Sequence, residues 1–167
     1  RDRKIAAWKG LSLPIVYNTG GYDSIRTLKM LEGIVDIYMP DMKYGDNETA
    51  LRYSGIKGYF DVNKRAVKEM HRQVGDLTVD AMGIARRGLI IRHLVLPNGL
   101  ANSENVFRFI AEEISKNSYV NIMDQYRPCY RADEYSELRR RITRKEWEEA
   151  VAIALKYGLR RLDGVKI

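Results

Sequence analysis

The stretch "IVDIYMPDMKYGD", residues 34–46, decides how the rest of the sequence is read. An apolar run of the kind found in buried strands meets Pro40 and then finishes in Asp41 and Lys43, with Met42 between them. Strand side chains alternate between faces, so Asp41 and Lys43 share one face and Met42 takes the other. A strand made for the interior that ends with an acid and a base pointing the same way is expected to open onto a polar ligand.

Working outward, strand-like and helix-like segments alternate, and the strands are apolar on both faces, as parallel strands covered by helices are. "LPIVYNT" (13–19) reads as the first strand, stopped by Gly20-Gly21. A helix follows in "YDSIRTLKMLEG", with Asp23 or Ser24 as N-cap and Gly33 as terminator. "DNETALRYSGI" and "NKRAVKEMHRQVG" read as two further helices, the second turning Ala66, Val67 and Met70 inward. "LTVD" and "IARRG" form an edge arm before the apolar strand "LIIRHLVLP" (89–97).

A capped helix with Val106, Phe109, Ile110 and Ile114 on one stripe follows, then a strand at 119–128 and an irregular stretch beginning at Cys129. The last helix, "TRKEWEEAVAIALKYG", carries a capping box at Thr143 and Glu146, and "LRRLDG" closes as a short strand. The order β-α-β-α-β-α-β-α-(β), with right-handed crossovers, predicts an α/β fold of four main parallel strands, either an open sheet or part of a barrel.

The chain has 167 residues, 45% of them hydrophobic and 31% charged, which predicts a single domain over residues 1–167 with a sizeable core. No apolar run is long enough to span a membrane and no signal-peptide pattern opens the chain, so a cytoplasmic protein is expected. One cysteine, Cys129, excludes an internal disulfide, and two histidines leave too few ligands for a four-ligand Cys/His metal site.

Lys and Arg number 29 against 22 Asp and Glu, a formal charge of +7. The basic clusters at 1–4, 85–87, 139–141 and 160–161 are scattered among acids, which favours a solvated basic surface over a nucleic-acid interface. The chain opens without Met, and "KIAAWKG" reads as the last turns of a helix closed by Gly10, as though the chain were a piece of something longer.

Ligands of such sheets sit beyond the carboxyl ends of the strands, and the unusual polar residues gather there. Asn18 and Thr19 read either as a turn before Gly20 or as ligand contacts; Asp41 and Lys43 read either as a local pair or as a site. Arg92, inside an apolar strand, needs an acceptor. His93 faces away from Arg92 and reads as a core or helix-facing residue, and His71 as an exposed one. No P-loop, GxGxxG, GxSxG or HExxH motif occurs, so kinase, dehydrogenase, hydrolase and zincin readings lack support.

"LPIVYNTGGYDS", "DIYMPDMKYGD", "IRHLVLPNGLANS" and "VNIMDQYRP", in this order and spacing, resemble the C-terminal two thirds of radical S-adenosylmethionine enzymes of the pyruvate formate-lyase activating enzyme type. The resemblance implies a partial (β/α)6 barrel to which this chain supplies strands three to six. It implies S-adenosylmethionine and a 4Fe-4S cluster as cofactors of the parent, reductive cleavage followed by hydrogen abstraction, and a flavodoxin or ferredoxin as electron donor. A glycyl-radical enzyme or another protein would be the substrate.

The family's CxxxCxxC loop and its GGE-type motif would lie upstream and are absent here, so this chain alone is expected to be inactive. By resemblance, Asn18 and Thr19 match an Asp-Thr motif and Asp41 and Lys43 an Asp-x-Lys motif near the cofactor's carboxylate and a monovalent cation. Arg92 matches a strand-five arginine, and Gln125 falls near a strand-six histidine. Asn18 stands where the family has an acid, which takes a charge from the cation site. The competing expectation is a non-catalytic α/β module for a phosphorylated ligand or nucleic acid. The first strand is also expected to present an unpaired edge, covered by residues 1–10 or by self-association.

Overall fold

The computed structural model describes residues 10 and 12–165 of the chain. The helical end expected in "KIAAWKG", Gly10 apart, and the cover expected from residues 1–10 lie outside the described residues.

Five strands run parallel: β1 (Val16–Thr19), β2 (Ile37–Pro40), β4 (Ala85–Leu94), β5 (Tyr119–Met123) and β6 (Arg161–Leu162), hydrogen-bonded in that order. The two-residue β3 (Thr78–Val79) pairs antiparallel with β4 and completes an open, mostly parallel six-stranded sheet. Between the strands lie α1 (Ile25–Met30), α2 (Asn47–Ser54), α3 (Tyr59–Val74), α4 (Ser103–Phe109) and α5 (Arg144–Lys156). α4 continues into a π-helical turn over Ile110–Ile114.

Local signals explain most of these boundaries. The Ser24 side chain accepts from the Thr27 amide and starts α1. Asp46 does the same for Thr49 at α2, and Gly55 ends that helix in the left-handed region at φ 67°. The capping box at α5 forms in both directions between Thr143 and Glu146.

Several boundaries differ from the sequence reading, the first strand starting at Val16 and the strand expected over 89–97 ending at Leu94. "LTVD" and "IARRG" do pair antiparallel, Thr78 with Arg87 and Val79 with Ala85, but "IARRG" runs on into the apolar strand as one β4, because Gly88 carries the chain through at φ 125°. A Cβ at Gly88 would lie 2.5 Å from the Asp76 carbonyl oxygen, so only glycine lets that backbone pass so close. α3 begins at Tyr59, four residues before Asn63, since Tyr59 already belongs to its buried face. β5 ends at Met123 rather than running to 128.

In a parallel sheet, register partners share a face. One face carries Tyr38, Leu89, Ile91, Val120, Met42 and Ile122, all buried, and packs on Leu28, Val67, Met70, Phe107 and Ala154 of the helices. Each such side chain contributes about 1.5–3 kcal/mol through burial. The other face carries Asn18 and Met39, then Asp41, Arg92 and Asn121 in one cross-strand row, then Leu94 and Met123. Except for Asp41, these residues are half-buried or exposed. The sheet thus has a helix-covered face and an open one, rather than the strands apolar on both faces that the sequence suggested, and the charges of the opening stretch lie on the open one.

A charged row on the open face of the sheet

Asp41 is the hinge of the site. The ladder extends past β2: the Asp41 amide donates to the Thr19 carbonyl at 2.9 Å and the Met42 amide to the Arg92 carbonyl at 2.8 Å. Asp41 is therefore fixed between β1 and β4 and is 7% exposed. Arg92 Nη2 lies 2.6 Å from Asp41 Oδ1, and Lys43 Nζ lies 3.2 Å from Oδ2. Arg92 Nη2 also donates to Asn18 Oδ1 at 2.9 Å. Asn18, Asp41, Lys43 and Arg92 thus come together from three strands.

The cluster is incompletely satisfied. Asp41 Oδ1 has the Arg92 Nη2 as its ion-pair partner, while the buried Arg92 Nε has no acceptor among the described residues. A buried polar atom left unpaired costs about 1–3 kcal/mol, more when charged. A ligand carboxylate on the open face would meet the Arg92 and Lys43 cations, and a ligand donor would meet the Asp41 carboxylate.

Two expected members lie elsewhere. Thr19 is adjacent to Asn18 and so points to the opposite face, where its hydroxyl donates to Asp23 Oδ2 at 2.6 Å and accepts from the Gly21 amide at 3.1 Å. Gln125 lies past the end of β5, exposed, with its amide 3.6 Å from the Met123 sulfur.

Behind the site, the packing is polar and precise. Asn63, fully buried on α3, donates through Nδ2 to the carbonyls of Gly21 at 3.0 Å and Asp41 at 2.9 Å, tying the turns after β1 and β2 together. The Tyr59 hydroxyl accepts from the Lys43 amide at 3.0 Å, and burial holds its pKa well above the usual range. His93, also fully buried, bonds the Met42 carbonyl through Nδ1 at 2.7 Å and Ser103 Oγ through Nε2 at 2.8 Å. A carbonyl only accepts, so Nδ1 carries the proton and Nε2 accepts from Ser103. Burial pulls the His93 pKa down to about 4.

His71, expected to be exposed, is half-buried and bonded to Asp76 Oδ1 at 3.0 Å, because Gly75 turns the chain back beneath the end of α3. The row also continues beyond the expected residues: Asn121 Nδ2 and the Tyr119 hydroxyl both donate to the Asp163 carboxylate, at 2.9 and 2.8 Å. Alternation in "YVNIM" places Asn121 on the face of Arg92's partners. Asn63 also had a signal, since it falls on the stripe of Tyr59, Ala66, Val67 and Met70.

The fold and site define an open, mostly parallel α/β sheet with a buried acid held between two bases at the carboxyl ends of its strands. No protein-family profile matches the chain. It is 38% identical over 157 residues to an uncharacterized protein of Methanocaldococcus jannaschii, an alignment taking in 93% of this chain and 42% of that protein. The chain therefore spans less than half the length of the curated relative it matches. Among the described residues no helix is long and apolar enough to cross a membrane.

Proposed function

We propose that this chain is the C-terminal part of a radical S-adenosylmethionine enzyme resembling the pyruvate formate-lyase activating enzymes, and that its sheet is part of a (β/α)6 barrel. The observation that carries the reading is the convergence of Arg92 and Lys43 on Asp41 at the open face of the sheet. An amino-acid moiety matches these charges: its carboxylate accepts from Arg92 and Lys43, and its ammonium, or a ribose hydroxyl, donates to Asp41. The strand order supports the barrel, since it follows the chain without the reversal that marks a doubly wound sheet.

The residues of this chain fit S-adenosylmethionine and do not fit the iron–sulfur cluster. A 4Fe-4S cluster needs cysteine thiolates that the single, exposed Cys129 does not provide, and no group of three His, Cys, Asp or Glu among the described residues is placed to hold a metal. When bound, S-adenosylmethionine would supply reductive cleavage and hydrogen abstraction. This chain's part would be to bind and orient it: Lys43 and Arg92 on the carboxylate, Asp41 as acceptor, Asn18 steadying the guanidinium, and Asn63 and Tyr59 fixing the turns that carry them. A glycyl-radical enzyme as substrate and a flavodoxin or ferredoxin as electron donor belong to the same proposal.

The test is anaerobic reconstitution of the full-length protein containing this chain, with 5′-deoxyadenosine as the readout. Lys43→Ala should weaken S-adenosylmethionine binding by about 1.5 kcal/mol, the worth of one charge-assisted hydrogen bond. Absence of 5′-deoxyadenosine from a cluster-loaded protein, or unchanged affinity in the variant, would overturn the reading.

A further inference from the structure

A cavity of about 580 Å³, lined by none of the residues of the charged row, falls within the size range of small-molecule sites. Its walls come from the turn after β2, the second half of α2, the turn after β4, and the long connection from β5 to α5. Five tyrosines line it: Tyr44, Tyr53, Tyr126, Tyr130 and Tyr135.

Four of those hydroxyls are already committed. Tyr53 donates to Glu137 at 2.7 Å, Tyr126 to the Leu138 carbonyl at 2.9 Å and Tyr135 to the Arg52 carbonyl at 3.0 Å, while Tyr44 pairs with Ser54 Oγ at 2.8 Å. Their rings, rather than their polar tips, are what these tyrosines have left to offer. Tyr53 and Tyr135 meet edge to face, with centroids 5.0 Å apart.

Tyr130 differs. It is 93% exposed, its hydroxyl is hydrogen-bonded to no described residue, and it sits in the left-handed region at φ 54°, uncommon for a residue other than glycine. A large ring is thus held out in solvent at the mouth of a tyrosine-walled cavity.

Charge selects among occupants. The two guanidiniums on the wall are each matched by a carboxylate: Arg52 by Glu137 at 2.7 Å and Arg131 by Glu134 through two bonds of 2.8 and 2.7 Å. An anion would find both cations engaged. A cation would find the faces of Tyr53 and Tyr135 already taken by the Arg52 guanidinium. An uncharged planar ring suffers neither penalty and gains edge and stacking contacts with the walls.

We infer that this cavity binds an uncharged aromatic ring, presented either by a free small molecule or by a peptide side chain, with Tyr130 closing over it. The inference is independent of the proposed function, since it uses neither S-adenosylmethionine nor the charged row, and its test needs neither.

The test is fluorine NMR of the full chain titrated with 5-fluoroindole, with the cation 5-fluorotryptamine and the anion 5-fluoroindole-3-acetate as charged counterparts. Saturable broadening by the neutral ring in preference to both ions is expected. Tyr130→Ala, at an exposed position that leaves folding intact, should weaken it about five-fold, the loss of one aromatic pair. Leu51→Trp, at a half-exposed position on the wall, should compete by filling the cavity. N-acetyl-5-fluorotryptophanamide separates the sources: tighter binding than 5-fluoroindole points to a peptide, weaker binding to a free molecule. No saturable binding, preference for either ion, or affinity unchanged in both variants would overturn the inference.

Discussion

Lowering the pH should destabilise this protein through His93. The imidazole is fully buried, beside the Phe107 ring at 5.0 Å, and donates to the carbonyl of Met42, the residue between Asp41 and Lys43. Its pKa is about 4 in the folded protein, against about 6.5 in an unfolded chain. A depressed folded pKa means that the unfolded state takes up the proton first. The stability is therefore present above about pH 6.5 and is lost as pH falls through the folded value. The loss reaches about 2 kcal/mol by about pH 5 and about 3 kcal/mol near pH 4. Urea unfolding at a series of pH values measures it. His93→Gln is the control, because glutamine can donate to Met42 and accept from Ser103 but does not titrate. The variant should lose about 2 kcal/mol less than the natural protein between about pH 7 and pH 5. Parallel curves for the two proteins would refute the argument that His93 is buried and neutral.

Other perturbations test the frame around the site. Asn63→Ala should cost about 2 kcal/mol by leaving the Gly21 carbonyl without its donor, measured by urea unfolding, with a further loss of whatever ligand affinity the charged row has. Gly88→Ala should cost about 1–3 kcal/mol, seen as a lowered melting temperature, because its Cβ meets the Asp76–Leu77 backbone rather than a side chain that can move. Thr143→Ala should cost about 1 kcal/mol by removing the N-cap of α5, and Thr143→Ser should restore most of it.

The fold was legible in the sequence wherever local chemistry and pattern agreed. Apolar runs marked the interior strands, and Ser24 and the Thr143–Glu146 box marked helix starts by chemistry that works within one turn. β4 was not legible as one strand because its continuity depends on Gly88 packing against the Asp76–Leu77 backbone, a contact between segments. The start of α3 was hidden for a related reason. Asn63 looks like a cap, the usual use of asparagine at a helix start, whereas the fold spends its amide on two carbonyls of the β1 and β2 turns.

The candidate site divides along the same line. Alternation alone put Asp41 and Lys43 on one face, and a buried arginine's need for an acceptor pointed from Arg92 toward them; the structure brings these together with Asn18. Where the reading relied on nearness in sequence instead, geometry parts the residues. Thr19 follows Asn18 by one position and so faces the helices. Gln125 lies two residues beyond the last residue of β5, where strand alternation no longer governs direction. Asn121 shows the converse, because the rule that separated Thr19 from Asn18 places it beside Arg92, as an extension of the charged row toward Asp163. A ligand held by Asp41 and Arg92 at one end therefore has a second polar station along the same face, where Asn121 and Tyr119 already hold a carboxylate, Asp163, in place.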